Sequence, residues 1–457
     1  MTTHTFDVAV IGGGSGGYAA ARATAAGGLK TAVIEGGAEV GGLCILRGCM
    51  PTKALLYAAE ILHQTGRAAT WGLRAGHVGF DWTSIQERKA RLIEGFASHR
   101  REQLASGRFG FFREAARFVS PRAVELANGD RIEARYFVIA TGSKVSEPLV
   151  PGLSDAGYWT SDDALTLERL PASLVVLGGG AVAVEFAQLF CRLGVRVTLI
   201  QRSERILKDF DADAAACVEE VFRREGMTVH TGVELRSAGR CAAGKYVEFS
   251  QAGRRFRVEG EAILFALGRS PNTESLNLEA AGVATERGRV IANLRMQTSA
   301  PHIFTAGDCT GPRQIVHIAV AQGETAGHNI LHPDTPREMD DRLLTSVVFT
   351  DPQVAFVGLT EKEAARRGIA FKAASYPFND HGKSMIMEAL DGFVKLLADP
   401  RSGEILGGAC VGPMAGELIH EVTVAMAARM TAKQLALTPH YHPTLAEIWT
   451  YPAEELL

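Results

Sequence analysis

The stretch FDVAVIGGGSGG, residues 6–17, has the form of a buried strand that ends in a glycine turn. An alanine-rich stretch and the short run TAVIE, which ends at Glu35, follow it. A second segment repeats this plan: LVVLGGGAVA covers residues 174–183, and VTLIQ ends at Gln201. One glycine motif is a weak indication, but two that each follow an apolar strand and open a helical stretch predict two βαβ nucleotide-binding units.

The first glycine turn predicts a site for the pyrophosphate of a dinucleotide. Gly12 allows a tight turn, Gly14 lets the backbone approach the pyrophosphate, and Gly17 permits close packing of helix on strand. The positive end of the helix then faces the phosphates. Glu35 closes the second strand, where a carboxylate can accept hydrogen bonds from ribose hydroxyls. That position favours a ribose contact over a solvated loop acid.

The second glycine turn differs from the first in its third small residue and in the end of its second strand. Its small residues are Gly178, Gly180 and Ala183. The strand ends in Gln201-Arg202, with Lys208 close by, so no acid stands where it would repel a 2′-phosphate. Arg202 could grip such a phosphate through two parallel hydrogen bonds. These residues favour NADPH over NADH, and an ordinary basic surface loop is the alternative.

Two cysteines five positions apart, Cys44 and Cys49 in CILRGC, precede Met50-Pro51-Thr52-Lys53. On a regular helix five residues rise roughly 7.5 Å, which exceeds the roughly 7 Å that a disulfide can span between Cα atoms. A bond between the two sulfurs therefore needs a distorted backbone, and Pro51 would disturb the helix at the right place. Taken alone, this spacing leaves a redox-active pair and two buried free thiols equally open. The dinucleotide motif just upstream favours the redox pair.

Length and charge limit the remaining possibilities. A chain of 457 residues should form about three domains. A net charge of −3, from 48 basic and 51 acidic residues, argues against nucleic acid or a membrane surface as the main partner. The N-terminus has no basic region before a long apolar stretch, and no segment reaches the roughly 18 apolar residues that span a bilayer. We therefore predict a cytoplasmic protein. We also expect no metal site, because metal-binding cysteine pairs usually have a shorter spacing than Cys44 and Cys49 and more ligands nearby.

Ordered motifs along nearly the whole chain resemble those of the class I pyridine nucleotide–disulfide oxidoreductases. That family includes dihydrolipoamide dehydrogenase, glutathione reductase and mercuric reductase. The matching segments are GGGSGG, CILRGCMPTK, ATG, GGGAVAVEFA, GRSPN, TAGDCTG, VVFTDPQVAFVGLTE and HPTLAE. The resemblance implies that the first turn holds FAD and the second holds the nicotinamide cofactor. It also implies cofactor contacts by Thr141, Gly142 and Asp308 with FAD, and by Gly268 with NAD(P).

The resemblance also implies catalytic roles. Cys49 matches the thiol that contacts the flavin, and Cys44 matches the interchange thiol that attacks the substrate. Lys53 and Glu185 match an ion pair beside flavin N5, although an ordinary solvated Lys and Glu is the alternative. The remaining pair is His442, which matches the acid–base catalyst, and Glu447, which orients it. In this family the histidine acts on the disulfide of the other subunit, so a homodimer is implied; His440 matches no role.

The chain departs from the family pattern around the cysteines and at its end. Leu43 replaces a threonine, and Ile45-Leu46-Arg47 replaces an asparagine-containing triplet. Arg47 could stabilise a thiolate or recruit an anionic substrate, or it could point away into a salt bridge. The chain ends in AEELL, without the paired cysteines of mercuric reductases. Against a housekeeping dihydrolipoamide dehydrogenase stands Gln201-Arg202, because those NAD enzymes usually carry an acid there.

We therefore expect an α/β fold with two Rossmann-like nucleotide-binding domains, for FAD and NAD(P), and a C-terminal α+β dimerisation domain. The predicted boundaries are 1–147 and 268–338 for the two parts of the FAD domain, 148–267 for the NAD(P) domain and 339–457 for the dimerisation domain.

The expected reaction moves electrons between NAD(P)H and a small disulfide or dithiol, through FAD and Cys44–Cys49. Dihydrolipoyl dehydrogenase-like activity is the narrowest prediction. The alternatives are an NADPH-dependent reductase of disulfides, similar to glutathione reductase, a reductase of metal ions, and a flavoprotein that reduces quinone or oxygen without the cysteines. A non-catalytic flavin-bearing subunit is a further alternative, against which the intact set of Cys44, Cys49, His442 and Glu447 argues. The substrate and the physiological direction stay open.

Overall fold

The computed structural model describes residues 1–76, 78–311 and 313–457. Its strands, in chain order, are β1 (Thr3–Ile11), β2 (Thr31–Ile34), β3 (Gly110–Phe112), β4 (Ala116–Ser120), β5 (Ala123–Leu126), β6 (Arg131–Ile139), β7 (Ser143–Val145), β8 (Ser173–Leu177), β9 (Arg196–Ile200), β10 (Thr228–His230), β11 (Val233–Cys241), β12 (Gly244–Gln251), β13 (Arg254–Gly260), β14 (Ala262–Phe265), β15 (Arg269–Pro271), β16 (Thr285–Glu286), β17 (Arg289–Val290), β18 (Ile303–Thr305), β19 (Thr345–Val348), β20 (Gln353–Gly358), β21 (Lys372–Pro377), β22 (Phe393–Ala398) and β23 (Ile405–Gly412).

The α-helices are α1 (Ser15–Ala26), α2 (Gly42–Arg47), α3 (Cys49–Gly66), α4 (Trp82–Leu104), α5 (Leu153–Ala156), α6 (Ser161–Ala164), α7 (Ala181–Arg192), α8 (Ala212–Arg224), α9 (Val316–Leu331), α10 (Glu361–Arg367), α11 (Gly382–Ile386), α12 (Ala415–Ala427), α13 (Ala432–Leu437) and α14 (Thr450–Glu455). Short 3₁₀ turns lie at Ala68–Trp71, Glu274–Leu276, Leu278–Ala281, Asp308–Thr310, Asp341–Leu343, Phe378–Asp380 and Ala446–Trp449. No helix in the described part of the chain is long and apolar enough to cross a membrane.

The described chain divides into two compact units. Unit 1 contains Met1–Leu55, Thr83–Glu147 and Gly268–Met339, and unit 2 contains Leu56–Trp82, Pro148–Leu267 and Asp340–Leu457. Each unit holds one of the two glycine turns. The boundaries of the four segments predicted from the sequence, 1–147, 148–267, 268–338 and 339–457, stay predictions.

Unit 1 is built on a mixed sheet with the strand order β3-β2-β1-β6-β5-β4, and β18 pairs with β6. The strands β3, β2, β1, β6 and β18 run parallel. Alternate side chains of β1 enter two different cores: Ala9 and Ile11 pack on one face, and Val8 and Val10 pack with α1 and α9 on the other. Burial on both faces explains the uninterrupted apolar run before the glycines.

The second βαβ unit forms the parallel sheet β10-β9-β8-β14 of unit 2, with α7 after β8 and α8 after β9. The antiparallel sheet β11-β12-β13 accompanies it. The C-terminal part of the same unit is an antiparallel sheet in the order β19-β20-β23-β22-β21. Apolar residues of α12, α13 and α14 share one buried cluster with that sheet, and Trp449 is fully buried within it. The α/β fold expected from the sequence is confirmed.

Candidate active site

The first glycine turn excludes side chains at two of its positions. Gly12 has a φ of +106°, and a Cβ there would lie 2.3 Å from the carbonyl oxygen of Ala140. A Cβ on Gly17 would lie 1.9 Å from the carbonyl oxygen of Gly12, so α1 can approach β1 only with glycine at that place. Gly14 caps α1 without a side-chain hydrogen bond, which leaves the first N–H groups of the helix free of a side-chain partner.

The helix that carries the first cysteine begins against this turn. A Cβ on Gly42, whose φ is +75°, would lie 2.7 Å from the Cα of Gly14. Backbone therefore contacts backbone where α2 starts, two residues before Cys44. Within unit 1 this contact places the cysteine segment beside the predicted pyrophosphate site, a proximity that sequence order alone did not settle.

The two cysteines lie on either side of a break in the helix. α2 ends at Arg47, Gly48 has φ −128° and ψ −115°, and α3 starts at Cys49. A Cβ on Gly48 would lie 3.2 Å from the Cα of Cys44, so glycine lets the two chain segments approach closely. The distortion expected between the cysteines is present, but its place was wrongly predicted. Pro51 lies in the first turn of α3, where proline is tolerated, and Gly48 provides the break.

Both cysteines are half-buried. The pKa of Cys44 lies far above its ordinary value, chiefly because its side chain hydrogen-bonds to Cys49, then because it is buried and because Cys49 would add a like charge. Lys53 acts in the opposite direction and lowers the pKa of Cys44. The two side chains therefore interact directly across the helix break.

Two arginines lie near this pair, and only one was expected. Arg47 contacts Glu39 at 3.3 Å, with both side chains largely exposed. Arg100 of α4 stacks on the ring of Tyr18 at 4.1 Å. Burial lowers the pKa of Arg100, although the charges of Tyr18 and then of Cys44 act to raise it. Its Nε and Nη1 are buried without a hydrogen-bond partner among the described residues. Nothing in the local sequence around Arg100 signals this position.

Glu35 holds the first turn together. Its Oε2 accepts a hydrogen bond from the N–H of Gly13, and its Oε1 accepts one from the N–H of Gly37, each at 2.8 Å. Both oxygens keep a further lone pair, so a carboxylate held in this way can still accept a ribose hydroxyl.

The remaining residues predicted to contact FAD gather at the carboxyl ends of β6 and β18. Ser143 donates to Oδ2 of Asp308 at 2.6 Å, and Nε of Arg269 donates to Oγ of Ser143 at 2.8 Å. Oγ1 of Thr141 is buried without a hydrogen-bond partner among the described residues, and the carbonyl of Gly142 accepts from Asn272. A buried hydroxyl without a partner among the described residues, a helix start without a side-chain cap and an anchored carboxylate lie at the carboxyl ends of parallel strands, an arrangement that fits a dinucleotide such as FAD.

The second glycine turn repeats the backbone of the first. Gly178 has a φ of +126°, and a Cβ there would lie 2.3 Å from the carbonyl oxygen of Ala266. Gly180 caps α7 without a side-chain hydrogen bond, and Ala183 is fully buried. Gln201 uses its side-chain oxygen to accept from the N–H of Arg202 at 3.1 Å.

The basic residues after Gln201 divide into two groups. Arg202 and Lys208 are exposed, and Arg202 forms no ion pair with any residue in the described ranges. Arg205 is half-buried and donates to the carbonyls of Lys208 and Phe210. Arg205 therefore shapes the loop, while Arg202 and Lys208 remain available to an anionic ligand. The predicted contact of Gly268 with NAD(P) stays a prediction.

Side chains on one face of α7 hydrogen-bond to the loop before β20. Oε1 of Glu185, which is 4 % exposed, accepts from the N–H of Phe349 at 2.9 Å. Gln188 bonds both the N–H and the carbonyl of Asp351, and Arg192 donates to the carboxylate of Asp351. These helix positions, 185, 188 and 192, lie on one side of the helix. The structure thus anchors Glu185, while its pairing with Lys53 stays a prediction.

The C-terminal segment supplies a histidine–carboxylate pair. Nδ1 of His442 lies 2.9 Å from Oε2 of Glu447, and the His442 side chain is 77 % exposed whereas that of Glu447 is 11 % exposed. The Thr-x-x-Glu spacing places Thr444 and Glu447 in reciprocal contact, each bonding the other's backbone N–H with its side chain at 3.4 Å. Nε2 of His442 therefore faces outward while its other nitrogen is held.

Two further histidines flank this pair. His440 lies against Glu421, with 2.6 Å between Nε2 and Oε1, and does not contact Glu447 through a hydrogen bond. His381, which the sequence did not single out, is 1 % exposed and faces Glu447 from the other side. Its sequence neighbourhood carries no motif, so only the fold reveals it. No group of three or more His, Cys, Asp or Glu side chains in the described ranges could hold a metal ion.

Comparison with known families agrees with these features. Residues 6–323 match the pyridine nucleotide-disulphide oxidoreductase family, and residues 344–453 match the dimerisation domain of pyridine nucleotide-disulphide oxidoreductases. Together the matches cover most of the chain.

The similar proteins include more than one kind of enzyme. The dihydrolipoyl dehydrogenase of Thermus scotoductus is 38 % identical over 456 residues, which cover 99 % of this chain and 97 % of the relative. The mercuric reductase of Streptomyces lividans is 36 % identical, with 98 % and 95 % covered. Among solved structures, the HOCl-induced flavoprotein disulfide reductase RclA of Escherichia coli superposes with a TM-score of 0.86 at 26 % identity, with 98 % and 99 % covered.

Proposed function

The chain belongs to the pyridine nucleotide-disulphide oxidoreductase family, and from that premise we propose that it exchanges electrons between NAD(P)H and a dithiol or disulfide substrate through Cys44 and Cys49. The family assignment confirms the resemblance seen in the motifs. FAD and NAD(P)H are the cofactors of the family, and FAD, when bound, carries two electrons between the nicotinamide and the thiol pair. The C-terminal part is a dimerisation domain, and we propose that the enzyme works as a homodimer.

The observation that carries this proposal is the hydrogen-bonded thiol pair beside the first glycine turn. Cys44 forms a hydrogen bond with Cys49 across the helix break at Gly48, and α2 starts in contact with Gly14. A pair of sulfurs that interact across a break can form and open a disulfide with little movement of the chain. Scattered structural thiols would not need this break.

The chain's own residues can carry out the exchange with substrate. The thiolate of Cys44 attacks one sulfur of a substrate disulfide, a mixed disulfide forms, and the leaving sulfur takes a proton. Cys49 then attacks Cys44, which releases the second substrate thiol and leaves the Cys44–Cys49 disulfide. Two electrons have moved from the thiol pair to the substrate. With a dihydrolipoyl dithiol the same steps run in reverse.

His442 is the group that we propose holds the proton. Its Nδ1 is bonded to the carboxylate of Glu447, so the free Nε2 can give or take a proton at the substrate sulfur. By resemblance to the family, this imidazole serves the thiol pair of the second subunit of the dimer. A carboxylate behind an imidazole orients the ring and stabilises its charged form.

We propose a dihydrolipoyl group as the substrate, because the Thermus relative is a dihydrolipoyl dehydrogenase over nearly the full length of this chain. NADPH is our proposed nucleotide, because Gln201 stands where an acid would repel a 2′-phosphate and the exposed Arg202 is available to bind one. A cytoplasmic location remains a prediction of the sequence. Reduction of mercuric ion is the second candidate, and the Streptomyces relative favours it.

Replacement of Cys44 by serine tests the redox role directly. Turnover of dihydrolipoamide and of disulfides should fall by roughly 1000-fold or more, because serine cannot form the mixed disulfide. Transfer of electrons from NAD(P)H to a quinone should persist, since it does not need the cysteines. Cys217→Ser is the matched control: Cys217 is half-buried on α8, and its replacement should leave both activities unchanged.

Equal loss of both activities in Cys44→Ser, with FAD still bound, would contradict the proposed role. A substrate panel then narrows the assignment. Dihydrolipoamide with NAD and NADP should be compared with oxidised glutathione, other small disulfides and mercuric ion in the presence of NADPH. If none of these substrates is turned over while a quinone is reduced by NAD(P)H, the flavoprotein reductase that does not use the cysteines is favoured.

A further inference from the structure

A buried histidine stands behind the carboxylate of the His442–Glu447 pair. His381 is 1 % exposed and lies at the start of α11, just after β21. Its Nδ1 is 2.8 Å from Oγ of Ser384, and its Nε2 is 3.5 Å from Oε1 of Glu447. The carboxylate of Glu447 therefore faces two imidazoles: His442 lies within hydrogen-bond distance of both oxygens, and His381 faces Oε1.

The protonation of His381 follows from its neighbours. Burial lowers the pKa of His381 more than the nearby charge of Glu447 raises it, so the ring is neutral near pH 7. A neutral ring carries one proton. If that proton were on Nδ1, the lone pair of Nε2 would face the lone pairs of a carboxylate. Ser384 can instead donate to Nδ1, which leaves the proton on Nε2 and directed at Glu447.

We propose that His381 is a positioning residue for the acid–base histidine, acting through Glu447 by directing a second N–H group at the same carboxylate. This inference rests on the proposed function, because it assigns a role relative to His442. Nδ1 of His442 lies 2.9 Å from Oε2 of Glu447 and 3.2 Å from Oε1. Oε1 also accepts from the N–H of Thr444 at 3.4 Å and faces Nε2 of His381 at 3.5 Å.

A second donor has two consequences for His442. It restricts rotation of the carboxylate, so the imidazole of His442 keeps one orientation although its own ring is exposed. It also takes up part of the negative charge of Glu447, which then stabilises the imidazolium form of His442 less strongly and eases release of the proton.

The surroundings of His381 favour a polar role toward Glu447 over a role in packing alone. The ring packs edge-on against Tyr451 of α14 and Phe378, with centroid distances of 6.2 Å and 6.5 Å. The titratable groups that face His381 are Glu447, His442 and Tyr451. Nδ1 of His381 has Ser384 as its partner, whereas Nε2 is buried without a hydrogen-bond partner among the described residues and lies 3.5 Å from Oε1 of Glu447. A buried polar atom of this kind is costly unless a polar group faces it, and Glu447 is the group that faces it here.

The test compares His381→Met, which fills similar volume without a donor, with His381→Gln, whose Nε2 can replace the imidazole Nε2. We expect His381→Met to lower kcat for dihydrolipoamide roughly tenfold with KM nearly unchanged. The pH at which kcat/KM falls on the acid–base limb should move upward, because Glu447 then acts on His442 with its full charge. His381→Gln should restore both quantities toward the native values.

His440→Gln is the matched control, because His440 pairs with Glu421 and should leave the pH profile unchanged. A His381→Met profile that coincides with the native one, or a His381→Gln variant as impaired as His381→Met, would overturn the proposal in favour of packing alone. If His381→Met does not fold with FAD, the ratio of His381→Gln to native activity across pH decides the question, since a donor at Nε2 should preserve the profile.

Failure of the proposed function gives a different pattern. If His442→Gln retains turnover of dithiol substrates, His442 is not the acid–base group and the proposed function is wrong on that point. If His442→Gln is inactive with substrate but active with quinone, and His381→Met resembles the native enzyme, only the inference on His381 fails.

Discussion

The two glycine turns share a backbone but differ in how tightly their helices pack. Gly12 and Gly178 both have positive φ values, and in both a Cβ would lie 2.3 Å from a carbonyl oxygen of a neighbouring strand end. Three positions after Gly14 the chain needs glycine, because a Cβ on Gly17 would lie 1.9 Å from a backbone oxygen, whereas Ala183 carries its Cβ at the matching place. α1 is therefore packed more closely on its turn than α7.

The turns also differ at the end of the second strand. The side chain of Glu35 accepts hydrogen bonds from two glycine N–H groups and ties the first turn together, whereas the side-chain oxygen of Gln201 accepts only from its neighbour Arg202 within the described hydrogen bonds. A carboxylate suits two free ribose hydroxyls, and an amide beside an exposed arginine suits a phosphorylated ribose. One backbone plan thus serves two nucleotides through a few side chains.

The largest effect should come from exchanging the third small residue of each turn. Gly17→Ala should cost roughly 3–5 kcal/mol of unfolding free energy and abolish FAD binding, because its methyl group would overlap a backbone oxygen. Ala183→Gly should cost only about 1 kcal/mol, since it removes one methyl group and loosens a helix. Denaturant unfolding and flavin absorbance of the purified variants measure both. Equal costs for the two would mean that the helices pack alike.

A smaller effect should follow removal of the cation that distinguishes the second turn. Arg202→Ala should raise KM for NADPH roughly 10- to 100-fold and leave KM for NADH nearly unchanged, because a charge-assisted phosphate contact is lost. Steady-state kinetics with a quinone acceptor measures this without the cysteines. Arg196→Ala, an exposed arginine on β9, is the control and should change neither KM. A parallel rise for both nucleotides would remove the argument for a 2′-phosphate.

The smallest effect should come from making the second turn resemble the first. Gln201→Glu should lower kcat/KM for NADPH roughly tenfold, because a carboxylate beside the ribose repels the 2′-phosphate. The efficiency with NADH should hold or improve. Thermal unfolding of the variant without nucleotide separates this repulsion from the cost of an acid at a position that is 8 % exposed. An unchanged ratio of NADPH to NADH efficiency would show that position 201 does not set the preference.

The sequence predicted the strand–turn–helix units because their signals are local. An apolar strand, a glycine turn and a helical stretch are adjacent in the chain. Gly12 and Gly178 indicate a backbone with positive φ, which other residues adopt only with strain. The spacing of Cys44 and Cys49 likewise required a distorted helix. The predicted location of that distortion was wrong, because the sequence pointed to Pro51 and the helix break lies at Gly48.

Sequence alone therefore determined the fold class, the family and the two nucleotide turns, because each depends on residues close together in the chain. Only the tertiary structure decided which distant residues meet. Three contacts join segments that lie tens to hundreds of residues apart in the chain. α2 starts against Gly14, α7 hydrogen-bonds to Phe349 and Asp351, and His381 lies behind Glu447. Such contacts depend on how helices and sheets pack, and no periodicity or motif within one segment encodes them.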